Sequence, residues 1–178
     1  METCNDPEIK RLIAAGARFI NAVRAGQSPW LILLGTSGTG KTYLARKIWQ
    51  WWFKWGAWKT VQGKAGALQV RRSGQFCLWA DFIAECRDKD SSRMDDLVRD
   101  DLVVLDDIGA GADTRKWMAD KLYHIVEKRL TLNKAFIATA NLSLDQLAEA
   151  YDQRISSRLL RRGPECVVHV ETTDFNLR

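Results

Sequence analysis

Five apolar residues, Trp30-Leu31-Ile32-Leu33-Leu34, run directly into Gly35-Thr36-Ser37-Gly38-Thr39-Gly40-Lys41-Thr42. No other stretch restricts the fold so tightly. The apolar run reads as a buried strand, and Lys41 to Trp55 has the apolar spacing of a helix, so the glycines must turn one into the other. Glycine lets the backbone wrap closely around an anion, with consecutive N–H groups and the positive helix end pointing at it. The match to G-x-x-x-x-G-K-[ST] between a strand and a helix is that of a phosphate-binding loop. Gly35 to Gly40 would cradle the phosphates, Lys41 would reach the β and γ phosphates, and the Thr42 hydroxyl suits Mg²⁺. ATP with Mg²⁺ is therefore the expected ligand. A glycine-rich turn without a ligand is the plain alternative, disfavoured by the flanking strand and helix.

Residues 8 to 25 place Ile9, Leu12, Ile13, Phe19, Ile20 and Val23 at helical spacing, and Gly26 with Ser28-Pro29 ends that helix. After the first strand, four further apolar runs follow, at Gln75 to Trp79, Leu102 to Leu105, Ala135 to Ala140 and Cys166 to Val170. Helical patterns separate them, including Asp81 to Arg87 and Thr114 to Leu130. This alternation predicts an α/β fold with a mostly parallel sheet covered by helices. With 178 residues, 46% of them apolar, the chain suits one such domain and is short for two.

Asp101-Leu-Val-Val-Leu105 delivers Asp106 and Asp107 to the carboxyl end of a buried strand, where open α/β sheets bind their ligands. Asp106 would hold Mg²⁺, and Asp107 would orient or polarise the water that attacks the γ-phosphate. An acidic strand-to-loop turn is the bland reading. Ala135 to Ala140 ends on Asn141, whose amide can hold a water without changing charge. Its rival role is local, because Ser143 and Gln146 form a capping box that opens the next helix, and Asn141 could help to start it.

With these elements assembled, the chain resembles the AAA+ ATPases, and within them the bacterial helicase-loader family of DnaC, DnaI and the transposition protein IstB. The resemblance rests on GTSGTGKT, LVVLDDIG, TRKWMADKLYHIVEKR, ATANLSLDQL, DQRISSRL and the closing DFNLR. It implies a P-loop NTPase three-layer sandwich with a five-stranded sheet. Numbered along the chain, its strands would lie in the order 5-1-4-3-2. It also implies that Arg158 projects into a neighbouring subunit's ATP site, which would make the active form a homo-oligomer. From the residues alone, Arg154, Arg158, Arg161 and Arg162 make an ordinary solvated basic face. Residues 1–29 would form an N-terminal helix and lead-in, and 30–178 the ATPase core, without the helicase-gripping domain common among loaders. Only twenty residues follow Arg158, too few for a full helical lid, and Arg178 is a weak stand-in for a lid arginine.

Five of the eight tryptophans fall between Trp49 and Trp58. On a continuous helix Leu44, Ile48, Trp51, Trp52 and Trp55 would share one face, with Ala45, Trp49 and Phe53 on a second stripe. Two apolar stripes exceed what a surface helix needs, so part of this helix should be covered by the opening helix or by a partner. Core packing is the favoured role. From Lys54 to Gly74 there are five basic residues, Lys54, Lys59, Lys64, Arg71 and Arg72, with four glycines and no carboxylate. That composition reads as a flexible basic loop, and basic residues beside aromatic ones are also what single-stranded nucleic acid binders use. The segment Asp81 to Arg99, with Arg87, Lys89, Arg93 and Arg99, resembles the insertion lining the DNA channel of related initiators. Its carboxylates make a solvated, salt-bridged face nearly as good a reading.

The +5 charge would help a protein that works on a polyanion such as DNA. Cys4, Cys77, Cys86 and Cys166, with His124 and His169, are too scattered for a zinc site and read as reduced thiols of a cytoplasmic protein. No apolar run reaches the ~18 residues of a membrane span. The resemblance implies an ATPase that delivers a replicative helicase or serves replication on single-stranded DNA. The alternatives are an IstB-like regulator of a transposase and an ATP-switched interaction module with little turnover.

Overall fold

A computed structural model describes residues 6–63, 66–88, 92–109 and 115–171. Helix α1 (Pro7–Arg24) is started by Asp6, whose carboxylate accepts from the Glu8 N–H at 2.9 Å, with Pro7 supplying the preset φ of a first helical residue. Strand β1 (Trp30–Gly35) follows, then α2 (Lys41–Trp51), which continues into a π-helical turn at Trp52–Gly56. Next come β2 (Trp58–Gly63), β3 (Gly66–Arg71) and β4 (Gly74–Leu78). Helices α3 (Trp79–Asp88) and α4 (Ser92–Arg99) lead to β5 (Leu102–Ile108), and α5 (Arg115–Thr131) to β6 (Ala135–Ala140). Two short helices, α6 (Leu144–Ala150) and α7 (Gln153–Leu159), precede β7 (Val167–Val170).

The main sheet is parallel, in the order β4-β5-β6-β1-β7. Renumbered over its own five strands and read from the other edge, this is the expected 5-1-4-3-2. Alternate residues of the central strands face opposite layers. Ile32, Leu34, Val103, Leu105, Phe136 and Ala138 pack with α3 to α7, whereas Leu31, Leu33, Leu102, Val104 and Ile137 pack with α1 and α2. Burial on both faces explains why these strands read as unbroken apolar runs.

Among the described residues, Arg129 is the largest buried charged side chain. Arg129, at the end of α5, donates to the Leu97 carbonyl of α4 at 2.5 Å and to the Ala135 carbonyl of β6. It ties α4 to β6 through their carbonyls, and burial pushes its guanidinium well below the ordinary arginine range.

Several boundaries differ from the sequence expectation. Trp79 opens α3 instead of closing β4, and Cys166 ends a 3₁₀ turn before β7. The segment Asp81 to Arg99 is two helices, and Lys89 lies outside the described residues. Within the basic segment expected as a loop, β2 and β3 pair antiparallel as a β-hairpin, with the Gln69 amide donating to the Thr60 hydroxyl at 2.8 Å, while Lys54 belongs to the π-turn and Gly74 opens β4. Lys64, Thr114 and Arg178 fall outside the described residues.

The helix expected through Trp55 changes pitch at Trp52. The Ala57 N–H donates to the Trp52 carbonyl at 2.8 Å, five residues back, so the turn is wider than an α-turn. Ala45, Ile48 and Trp52 are buried, Trp49 and Trp51 are half-buried, and Phe53 and Trp55 face solvent. Trp55 therefore leaves the face it would share with Ile48 on a regular helix. Helix α1 covers part of α2, contributing Leu12, Phe19 and Val23 to the same core as Ala45 and Trp52.

Candidate functional site

The glycine-rich loop joins the carboxyl end of β1 to the first turn of α2. Gly35 and Gly40 show why the loop needs glycine. Gly35 has φ +122°, and a β-carbon there would lie 1.9 Å from the Val170 carbonyl oxygen of β7. Gly40 has φ +87° and caps α2 in the left-handed conformation. Between them the backbone folds so that Lys41 is buried, donating to the Gly35 carbonyl at 3.0 Å, the Thr36 carbonyl at 2.5 Å and the Thr39 hydroxyl at 3.2 Å. Burial lowers the ammonium below its ordinary proton affinity, while Asp107 and Asp106 pull the other way.

Asp106 is buried and accepts at one oxygen, Oδ1, from the Thr42 hydroxyl at 2.9 Å and the Thr139 hydroxyl at 2.7 Å. A regular strand would send Asp107 to the opposite face. Here the β5–β6 register shifts between Leu105 and Ile108, and Asp107 takes φ +60°. Such a bulge re-aims a side chain, and aspartate is among the residues that tolerate the left-handed region. Both carboxylates consequently line one cavity of about 770 Å³.

The far wall is β6. The Thr139 oxygen accepts the Asp107 N–H at 2.8 Å while its proton goes to Asp106, so one hydroxyl ties both aspartates to the central strand. The Asn141 amide donates to the Asp107 carboxylate at 2.8 Å. Helix α6 needs nothing from it, because Ser143 and Gln146 complete their capping box alone. Of the sequence-predicted residues, Ser37 to Thr42, Asp106, Asp107 and Asn141 line this cavity, whereas Gly35 and Thr36 do not line it and act through carbonyls that accept from Lys41.

Arg158 is elsewhere. It sits on α7, where its guanidinium pairs with Glu127 and reaches the Tyr123 hydroxyl at 3.5 Å, both on α5. Arg154 pairs with Asp152 at 2.8 Å and Arg162 with the Asn133 side chain at 2.7 Å, so these arginines are individually tethered rather than one free basic face.

Two parts of the site escaped sequence reasoning. Thr139 is one, although a lone hydroxyl inside a buried apolar strand was a visible signal. The other is the apolar wall that α1 adds. Ile9, Leu12 and Ile13 line the cavity across from Thr42 and Tyr43, and Ile13 remains 60% exposed. A hydrophobic wall beside a phosphate loop suits a flat heterocycle.

Comparison with known proteins meets this geometry. Residues 10–173 match the IstB-like ATP binding protein family. The chain belongs to that family. Among curated proteins, none matches the sequence significantly. Among solved structures, the DnaC helicase loader superposes with a TM-score of 0.73 at 19% identity, covering 94% of this chain and 92% of that one. DnaI gives 0.69 at 22% identity, covering 97% and 86%. A replication initiator DnaA bound to AMPPCP and single-stranded DNA gives 0.66 at 18% identity, covering 92% and 46%. At these identities the likeness shows a shared P-loop α/β fold, and the family match shows an ATP-binding family. Among the described residues, no helix is long and apolar enough to cross a membrane.

Proposed function

We propose that this chain hydrolyses ATP with Mg²⁺ at an interface between its own copies, and uses that cycle to deliver a replicative helicase or otherwise serve replication on DNA. The observation that carries the hydrolytic part is the convergence of Lys41, Thr42, Asp106, Asp107 and Asn141 on one cavity. The residues fit the ligand. Lys41 would exchange its loop oxygens for β and γ phosphate oxygens, and the loop N–H groups would take the remaining charge. Thr42 and Asp106 form an all-oxygen pair of the kind a hard divalent cation prefers; they would hold Mg²⁺, whose contribution would be to neutralise charge on the phosphates. Asp107, oriented by Asn141 and Thr139, would align a water for in-line attack. Ile9 and Ile13 would receive the base.

Arg158 lies outside this cavity in its own chain, and the role that fits the family resemblance is one in trans. On assembly its guanidinium would leave Glu127 and stabilise charge on a neighbour's γ-phosphate. The similarity to DnaC, DnaI and a DNA-bound DnaA supports the replication setting. The family match supports a second reading, regulation of a transposase. Turnover that is incidental to an ATP-driven assembly switch is the third.

Mixing tests the shared site, and capture separates the readings. Lys41→Ala and Arg158→Ala subunits, each inactive alone, should regain ATP turnover when combined, because a mixed interface can unite an intact loop with an intact arginine. No recovery at any ratio contradicts a shared site. Capture by the ATP-bound chain of a replicative helicase supports loading, and capture of a transposase supports the second reading. Intact biological output from an ATP-binding Asp107→Asn chain supports the switch.

A further inference from the structure

The phosphate cavity occupies the carboxyl ends of the strands. The amino ends carry a second feature that the ATP chemistry leaves unused. There the π-turn and the β2–β3 hairpin stand beside the end of α1, and a groove of about 650 Å³ runs between them. Gly26 and Ser28, which precede β1, and Asp101, which precedes β5, line this groove, so the sheet's length separates it from the phosphates, roughly 20 Å for six-residue strands.

Three tryptophans, Trp51, Trp55 and Trp58, line the groove together with Arg24, Lys59 and Arg72. Its one carboxylate among the described residues, Asp101, is paired with Lys134 at 2.8 Å. Next to it Phe53, Trp55 and Trp58 are 60%, 63% and 50% exposed. Cations lie over these rings: Lys54 is 5.2 Å from the Trp55 centroid, and Arg71 is 4.6 Å from Phe53 and 6.0 Å from Trp58. Lys54 to Gly74 contains no carboxylate at all.

Rings and cations interleaved in this way limit what can cover them. An apolar protein surface or an acyl layer would cover the rings but strip water from Lys54, Lys59 and Arg71 without offering counter-charge. Duplex DNA would satisfy the cations, yet its bases are stacked inside and cannot reach the rings. A single strand offers a base face to each ring and a phosphate to each cation at once.

We infer that the groove and the hairpin bind single-stranded nucleic acid, with bases stacked on Trp55 and Trp58 and phosphates held by Arg24, Lys59 and Arg71. The site stands on residues separate from the ATP machinery and does not depend on helicase loading.

The test is fluorescence anisotropy of a labelled oligo(dT) of about 20 nucleotides, titrated with the full chain in the absence of nucleotide. The double variant Trp55→Ala, Trp58→Ala should bind at least about tenfold more weakly, since each stacked base contributes a several-fold factor. Because both rings are at least half exposed, its melting temperature and ATP affinity should match those of the unaltered chain. The pair Lys59→Gln, Arg71→Gln should reduce the salt dependence of log K by about 1.4, the value for two phosphate contacts on a single strand. Unchanged affinity in the tryptophan variant overturns the proposal, as does equal affinity for a duplex of the same length. Loss of self-association in that variant with oligonucleotide binding intact would reassign the patch to contact between copies of this chain. Since no nucleotide is present, failure here leaves the ATPase reading standing, and success does not presuppose it.

Discussion

The two ends of α2 differ in how they satisfy their chemistry. At its start, Lys41 and Thr42 bond within the chain, to loop oxygens and to Asp106. At its end, Trp52 is sealed in the core while Trp55, three residues further within the π-turn, is 63% exposed. A buried polar group needs a fixed partner, so the first end is preorganised around one ligand geometry. An exposed ring needs no partner and can accept several, so the second end is a surface defined by composition more than by position. The same helix thus joins a site whose geometry is dictated to a surface whose use is not.

That contrast can be broken within the tryptophan segment itself. Trp52→Ala should destabilise the chain by about 4 kcal/mol in urea unfolding, the usual cost of emptying a buried aromatic site, whereas Trp55→Ala should stay within about 0.5 kcal/mol. Comparable losses for both would mean that the π-turn does not divide core from surface. At the other end, Lys41→Ala should reduce steady-state ATP turnover by at least about a hundredfold with no comparable loss of stability, as expected when a preorganised charge is removed.

Thr139 gives a finer test. Thr139→Val keeps the shape of the strand but leaves Asp106 and the Asp107 N–H each short of a partner, which should cost about 1–3 kcal/mol in stability. It should also weaken Mg²⁺-dependent ATP binding, and Thr139→Ser should restore both. The smallest effect is one of pH. Burial lowers the proton affinity of Lys41, and only the charged form attracts phosphate. ATP affinity should therefore fall as pH rises, with a midpoint below that of an ordinary lysine, and the Lys41→Ala chain should show no such step in a pH series of dissociation constants.

The difference between the ends of α2 also marks what could be read beforehand. The phosphate loop was legible because its spacing, its glycines and its flanking strand and helix all have one physical meaning. The sheet order followed once LVVLDDIG and ATAN were matched to a family. Asp107's bulge was not visible, since a register shift depends on the neighbouring strand and not on the local residues. Thr139 carried only the weak signal of one hydroxyl in an apolar run, because threonine is an ordinary strand former. From Trp49 to Trp55 nearly every position is apolar, so no periodicity could reveal the change of pitch. The hairpin escaped because β2 carries mixed residues on both faces, and in β3 the alternation is confined to Leu68-Gln69-Val70-Arg71, a short run among glycines and basic residues.

The central claim is that Asp107, held by Asn141 and Thr139, acts on the water that attacks bound ATP. It is tested most directly by measuring ATP affinity and steady-state phosphate release side by side for the unaltered chain and Asp107→Asn. The account predicts affinities within about threefold of each other and turnover lower by at least about a hundredfold in the variant. An Asp107→Asn chain that releases phosphate at the unaltered rate would contradict it.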